Sequence, residues 1–343
     1  MMLIRPATYA DQKSLLELAQ KTGPGLTTLP NDNDLLEEKI EQSMQAFVHG
    51  ITTPAFEYYL FLLEDTETGK IVGTSALAAT VGLSEAFYTY HLGTVVHTSP
   101  ELNVHNVINT LYLGNDYTGT TEICTLFLDP DYRKHGNGQL LSRCRFLFMA
   151  MQPNRFAPKV IAEMRGISDE NGNSPFWDAI GRHFFSMKFN DADEVSGVGR
   201  NQFIAELMPK YPIYLPLLPK AAREVIGQVH PDTKPALEML EKEGFEYRGY
   251  VDIFDAGPSV EVQTKKIKTV ANSFDCTVKV VAESQFDTSQ SQQYMLGNNR
   301  IKNFRACYGR GIMEYEQITL SDDIASCLNI KSGDRLRAFP TGR

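Results

Sequence analysis

Positive charge is in short supply. Against 42 Asp and Glu there are 33 Lys and Arg, a formal net charge of -9 in 343 residues. A dedicated nucleic-acid binder needs the opposite balance, so no nucleic-acid partner is expected. No stretch approaches the roughly 20 apolar residues that cross a bilayer, so no membrane partner is expected either. The N-terminal "MMLIRPATYADQKSLLELAQ" turns amphipathic at once, without the apolar core of a secretion signal. Five cysteines, Cys124, Cys144, Cys276, Cys307 and Cys327, are odd in number and scattered, with no CxxC spacing. Reduced thiols in a cytoplasmic, metal-free protein are the expectation. What is present, 42% hydrophobic and 22% charged residues, is ordinary globular composition.

"MMLIRPAT" reads as an edge or first strand and "YADQKSLLELAQK" as a helix. A Gly/Pro-rich loop "TGPGLTTLPNDN" precedes the helical "DLLEEKIEQSMQAFVHG". Two strands flank the turn "DTETGK", and "AFYTYHLGTVVHTSPELNV" suggests another. "EICTLFLDPDY" is a short apolar strand, "QLLSRCRFLFMAMQ" a strongly apolar helix and "KVIAEMRGI" a further strand. "SPFWDAIGRHFFSMKF" reads as a helix ending at Gly181, with Trp177 in the core. A faint echo between "PFWDAIGRHFFSM" and "ALEMLEKEGFEYRGY" suggests a partial duplication. From about Lys265 the texture becomes β-rich, "ASCLNIKSGDRLR" reading as strand, turn and strand. These signals give an α+β chain, a mixed sheet flanked by helices plus a small module. The division is residues 1–265 (core 1–190, extension 191–265) and a barrel-like module, 266–343, with the boundary between 263 and 272.

"DPDYRKHGNGQLL" carries the chemistry. A strand, then close glycines, then a helix is the recipe for holding phosphate, because free N–H groups at a helix start point at the anion. It is not a P-loop, since no Lys-Ser or Lys-Thr follows Gly138. It is not a dinucleotide fingerprint, since no third glycine follows. The pattern present is Arg-x-x-Gly-x-Gly: Arg133, Gly136, Gly138. With the strand before and the helix after, it resembles the coenzyme A pyrophosphate loop of the Gcn5-related N-acetyltransferases.

The resemblance extends to "LIRPAT", "KTGPGLTTLP", "ELNVHN", "CTLFLDPDYRKHGNGQLLS", "AEMRG", "SPFWDAIGRHFFSM", "FIAELMPKYPIY", "VIGQVHP", "LEKEGF" and "DIFDAGP". In this order, from residue 2 to about 262, they resemble the bacterial arginine N-succinyltransferase family; the C-terminal module matches mainly in "SGDRLR". The resemblance implies transfer of the succinyl group of succinyl-CoA to the α-amine of L-arginine, giving N2-succinyl-L-arginine in arginine catabolism. It implies direct attack in a ternary complex, succinyl-CoA as co-substrate without a metal, and a homo-oligomer or a hetero-oligomer with a paralogous subunit. The alternatives are a non-catalytic acyl-CoA-binding regulator and an N-acyltransferase acting on ornithine or another basic amino acid.

The resemblance further implies residue roles. The N–H groups from Lys134 to Gln139, with Arg133, Gly136, Asn137 and Gly138, would hold the pyrophosphate, and Leu126 and Leu128 the acyl-CoA arm. His230 would be the proton donor. From its residues alone, His230 stands only slightly above His91 and His97. His135 suggests a charge contact, and His183, flanked by aromatics, a structural place. Glu163 and Arg165, two apart on one strand face, are substrate-binding candidates; a mutual or solvated ion pair is the other reading. Thr27 and Thr28 offer hydroxyls to a substrate wall.

Overall fold

The computed structural model describes residues 1–343 except 23–25, 49, 170–171, 190–191, 193–206 and 343. Of the stretches read above, Gly23–Gly25 of the proposed substrate-wall loop, His49 near the end of "DLLEEKIEQSMQAFVHG" and part of the "FIAELMPKYPIY" stretch lie outside the described residues.

Strand β1 (Met2–Pro6) is first in the chain but not at an edge. It pairs on one side with β2 (Tyr58–Asp65) and on the other with β13 (Ala306–Glu314). From β2 the sheet runs on through β3 (Lys70–Ala78), β6 (Thr121–Leu128), β7 (Lys159–Glu163) and β10 (Pro258–Gln263). Beyond these lie β9 (Glu246–Val251), β4 (Thr89–Ser99), β5 (Val104–Gly114) and β8 (Ile213–Tyr214).

Strand β2 shows why this sheet has helices on both faces. Its side chains alternate. Tyr58, Leu60 and Leu62 meet Leu15 and Leu18 of α1 (Gln12–Ala19) and Leu36 and Ile40 of α2 (Asn33–Val48). Tyr59, Phe61 and Leu63 meet Phe148 of α3 (Asn137–Met151). Each such buried side chain is worth about 1.5–3 kcal/mol of transfer free energy.

Helix α3 is apolar nearly all round because it is covered twice. Its sheet side packs on β2 and β3, and its other side meets Met295, Phe304 and Phe339 beyond the sheet. Met295 and Phe339 belong to, and Phe304 lies in a connection of, a closed ring of five strands that includes β13. Its other members are β11 (Phe274–Val281), β12 (Gln292–Asn298), β14 (Gln317–Ser321) and β15 (Arg335–Pro340), with β13 pairing back to β12. The class is α+β, a mixed sheet flanked by helices.

Four local expectations need correction. "ASCLN" is not a strand but the end of a helix, Asp322–Leu328, and Asn329 stops it at φ 53. Two aspartates in its first turn favour the helix dipole, and Ile324, Ala325 and Leu328 face the ring's core. The helix expected to end at Gly181 instead breaks at Ile180 and resumes as α5 (Gly181–Phe185), after α4 (Pro175–Ala179). A Cβ on Gly181 would lie 2.2 Å from the Trp177 ring, which is wholly buried. The supposed duplication also fails. Phe245 enters β9, whereas Phe185 is followed by Ser186 in a left-handed turn and no described strand. His183 is exposed rather than structural.

Candidate active site

Strands β6 and β7 run parallel but pair only at Thr121–Val160 and Glu122–Ile161. Beyond that they separate, and the cause lies on the other side of β6. Opposite Ser75 of β3, strand β6 carries two residues, Thr125 and Leu126, between the pairs Cys124–Ala76 and Phe127–Thr74. Thr125 sits at φ 56, which a β-branched residue rarely adopts. The bulge is held in place: Thr125 N–H donates to Thr28 Oγ1 at 3.1 Å, and its hydroxyl lies 2.7 Å from Tyr58 Oη. The strands thus splay around a cleft of about 330 Å³.

Leu126, Arg133, Glu163 and Arg165 all line this cleft, together with Thr27 and Thr28. At the head of α3, Gly136 takes φ +81 and His135 φ 53, which turns the chain sharply into the helix. Not every N–H of the loop is free. Lys134 N–H donates to Tyr132 O at 2.8 Å and Asn137 N–H to Lys134 O at 3.1 Å, while Asn137 Nδ2 donates to Tyr132 O. The N–H groups of His135, Gly136, Gly138 and Gln139 have no partner among the described residues. The donors expected from Lys134 to Gln139 reduce to these four. Leu128, also expected at the cofactor, sits in the core off the cleft lining.

His230 caps a short turn before α7 (Lys234–Glu243), numbering α6 as Lys220–Val225. Its main-chain N–H donates to Arg165 O at 2.8 Å, and its Nδ1 accepts from Asp232 N–H at 3.2 Å. With Nδ1 accepting, the neutral ring carries its proton on Nε2. Burial, and then the Arg165 charge, lower its pKa from the usual 6.5 against a pull from Asp232. His230 itself is not among the residues that line the cleft; its neighbours Asp232 and Thr233 are, and its main-chain bond ties it to Arg165, which also lines it. His91, by contrast, stacks on Tyr250 at 4.5 Å and His97 lies by Tyr214.

Glu163 and Arg165 do not pair with each other. Arg165 donates to Ser168 Oγ at 2.9 Å, whereas Glu163 Oε1 is shielded and without a partner among the described residues. Sequence reasoning missed five further charged residues here: Glu122, Arg145, Asp232, Asp252 and Asp255. Burial, partly offset by Lys39, pushes the Glu122 carboxyl up to about 7. Burial and the neighbouring Asp252, Glu122 and Asp255 raise that of Glu163 well above the usual range. Asp255 accepts from Gly166 N–H and Gly257 N–H at 2.7 and 2.8 Å, joining the end of β7 to the β9–β10 turn. The turn had been singled out as "DIFDAGP" without a role. Cys124 also lines the cleft, but burial and Glu122 push its thiol up to about 12.

Comparison with known proteins agrees with this architecture. A family model described as "Arginine N-succinyltransferase beta subunit" matches residues 2–269, and one for its C-terminal domain matches 276–340. The chain is 46% identical over 337 residues to an arginine N-succinyltransferase of Escherichia coli (strain 55989 / EAEC), covering 98% of this chain and 97% of that protein. It is also 46% identical to one from Yersinia pestis (strain Pestoides F), with 98% and 97% coverage. The solved arginine/ornithine succinyltransferase subunit AI from Pseudomonas aeruginosa superposes with a TM-score of 0.91 at 37% identity, covering 100% of this chain and 99% of that one. The chain belongs to the arginine N-succinyltransferase family.

Proposed function

We propose that this chain transfers the succinyl group of succinyl-CoA to the α-amine of L-arginine, releasing N2-succinyl-L-arginine and coenzyme A. The observation that carries this reading is the bulge-opened cleft between β6 and β7, with His230 bonded through its main chain to the cleft residue Arg165, in a chain of this family. The four free N–H groups at the head of α3, with Arg133 and Lys134 beside them, suit a pyrophosphate. The acyl-CoA arm then lies along β6 past Leu126.

The amine attacks the thioester carbonyl directly, the carbon–sulfur bond breaks, and coenzyme A leaves as thiolate. Neutral His230 takes the proton that the amine loses and returns it to the thiolate. A covalent route through Cys124 is disfavoured because its thiol stays protonated. Arg165 reads the succinyl carboxylate and Glu163 faces the acceptor amino acid.

We place the reaction in the cytoplasm. Among the described residues no helix is long and apolar enough to cross a membrane, and no His, Cys, Asp and Glu group suits a metal. We further propose two domains, 1–265 and 266–343, an arrangement supported by the strand ring and by the separate family models. The family model's description as "beta subunit" and the Pseudomonas relative's as "subunit AI" support an oligomer, of this chain alone or with a paralogue. The Pseudomonas relative's name also includes ornithine, which makes ornithine the second acceptor to try.

The test is thiol release from succinyl-CoA with and without L-arginine, with ornithine, lysine and acetyl-CoA as comparisons. Arginine-dependent release favouring succinyl-CoA is expected. No release with any amine, from protein that binds coenzyme A, supports a non-catalytic binder instead.

A further inference from the structure

The inner wall of the cleft holds more carboxyl groups than the contacts among the described residues use. Glu122 lies on β6 at the last pair before the splay, and Glu163 ends β7. Asp252 directly follows β9, whose partner β10 aligns Ser259 with Glu163. All three line one cavity. Asp252 Oδ1 is occupied by the N–H groups of Phe254 and Asp255, and Asp255 is committed to Gly166 and Gly257. Glu163 Oε1 is the exception, shielded from solvent yet without a partner among the described residues. A buried polar atom left in this state costs roughly 1–3 kcal/mol, which a folded protein tolerates where a ligand completes the bond.

Among the described residues this wall is neutralised only in part, by Lys39 acting on Glu122. Of the cavity's cations, Arg145 is spent on Ser142 and Cys124 O. Arg165 is turned to Ser168 and Arg133 Nε to Leu128 O. Lys39 stands behind Glu122, outside the lining. We infer that Glu163, Asp252 and Glu122 form the subsite that takes the cationic side chain of the acceptor amino acid, and that this subsite exchanges a proton for the cation. The inference rests on the acyl-transfer reading above and assigns the acceptor end of the same cleft.

The physical argument concerns like charges at close quarters. Carboxylates crowded in a shielded wall cannot all ionise, so the empty site retains protons near neutrality. A guanidinium or ammonium entering the site supplies the counter-charge, the carboxyls ionise, and a proton leaves to solvent. A neutral side chain of the same shape supplies no charge and gains little. Discrimination of arginine from its neutral ureido isostere, citrulline, is therefore built in and strengthens as pH rises. The groups facing Glu163 are Glu122 from β6, Asp252 and Asp255 from the β9–β10 turn, and Tyr117 from the β5–β6 loop. The cations Arg133, Arg145 and Arg165 share the cavity.

The test uses the full chain and succinyl-CoA-dependent thiol release. In the unaltered protein, the KM for L-arginine should fall as pH rises from 6 to 8.5, and L-citrulline at ten times that KM should neither react nor compete at pH 8. Glu163→Gln and Asp252→Asn should each raise the arginine KM at least ten-fold while leaving the succinyl-CoA KM within about two-fold. An arginine KM indifferent to pH, citrulline competing as well as arginine binds, or unchanged KM values in folded variants would each overturn the inference. The first two readings need no variant and so decide the matter even if both substitutions prevent folding. Absence of any arginine-dependent release in the unaltered protein would instead remove the acyl-transfer reading on which the inference stands.

Discussion

The main-chain N–H of His230 donates to the carbonyl of Arg165 at 2.8 Å. This one bond brings the turn before α7 to the chain just past β7, some sixty-five positions earlier in sequence. It sets an imidazole beside the chain that leaves β7 and brings the Arg165 charge close enough to add to burial in lowering the pKa of that ring.

The neutral ring predicts a pH profile. At saturating arginine, kcat should fall as pH drops, because protonation removes the base that receives the amine's proton. Burial and Arg165 lower the His230 pKa, so the midpoint of this limb should lie below 6.5. A midpoint at or above 6.5 would assign the limb to another group.

Gly136 tests the phosphate loop. Its φ of +81 suits glycine, and a Cβ there would meet only Tyr308, at 3.5 Å. Gly136→Ala should therefore cost about 1 kcal/mol of stability through backbone strain rather than a clash. It should raise the succinyl-CoA KM several-fold with little change in the arginine KM. Thermal melting and initial rates together read both effects.

Gly257 is a packing case. A Cβ there would lie 2.0 Å from Met164 O and 2.5 Å from Gly166 N. The β9–β10 turn would have to leave the end of β7, breaking the Asp255 bridge to Gly166. Gly257→Ala should destabilise the fold by about 3 kcal/mol or more, well beyond Gly136→Ala in the same melting experiment.

Glu163 should show a function–stability conflict. Its carboxyl pKa is raised on folding by burial and by Asp252, Glu122 and Asp255. A carboxyl raised on folding disfavours the native state progressively as pH climbs above the unfolded value and does so least in acid. Glu163→Gln should therefore raise stability by about 1–2 kcal/mol at pH 8 and leave it nearly unchanged at pH 4. Equal gains at both values would contradict a charge origin.

Much of the fold was legible where the signal is local. The apolar runs on either side of "DTETGK" marked a pair of strands, and "RKHGNG" before an apolar helix marked the phosphate loop. The course of α3 between the sheet and the strand ring explains a helix that reads as apolar throughout. The wall of the cleft was not legible, because its carboxylates come from β6, the end of β7 and the β9–β10 turn, brought together only by strand pairing. Nor was the bulge, since "ICTLFL" contains no glycine and Thr125 is a residue type that ordinarily avoids positive φ. The helix over Asp322–Leu328 was missed because "ASCLN" alone looks strand-like, and its start signals lie upstream in "SDD".

The central claim is that His230 carries the proton in a cleft that binds coenzyme A independently of it. The most direct measurement is His230→Ala, assayed for arginine-dependent thiol release and, on the same preparation, for coenzyme A affinity by calorimetry. The account predicts turnover lower by about 10²–10⁴-fold, with coenzyme A affinity within about two-fold of the unaltered protein. Turnover retained within a few-fold would contradict it, and so would a matching loss of coenzyme A binding.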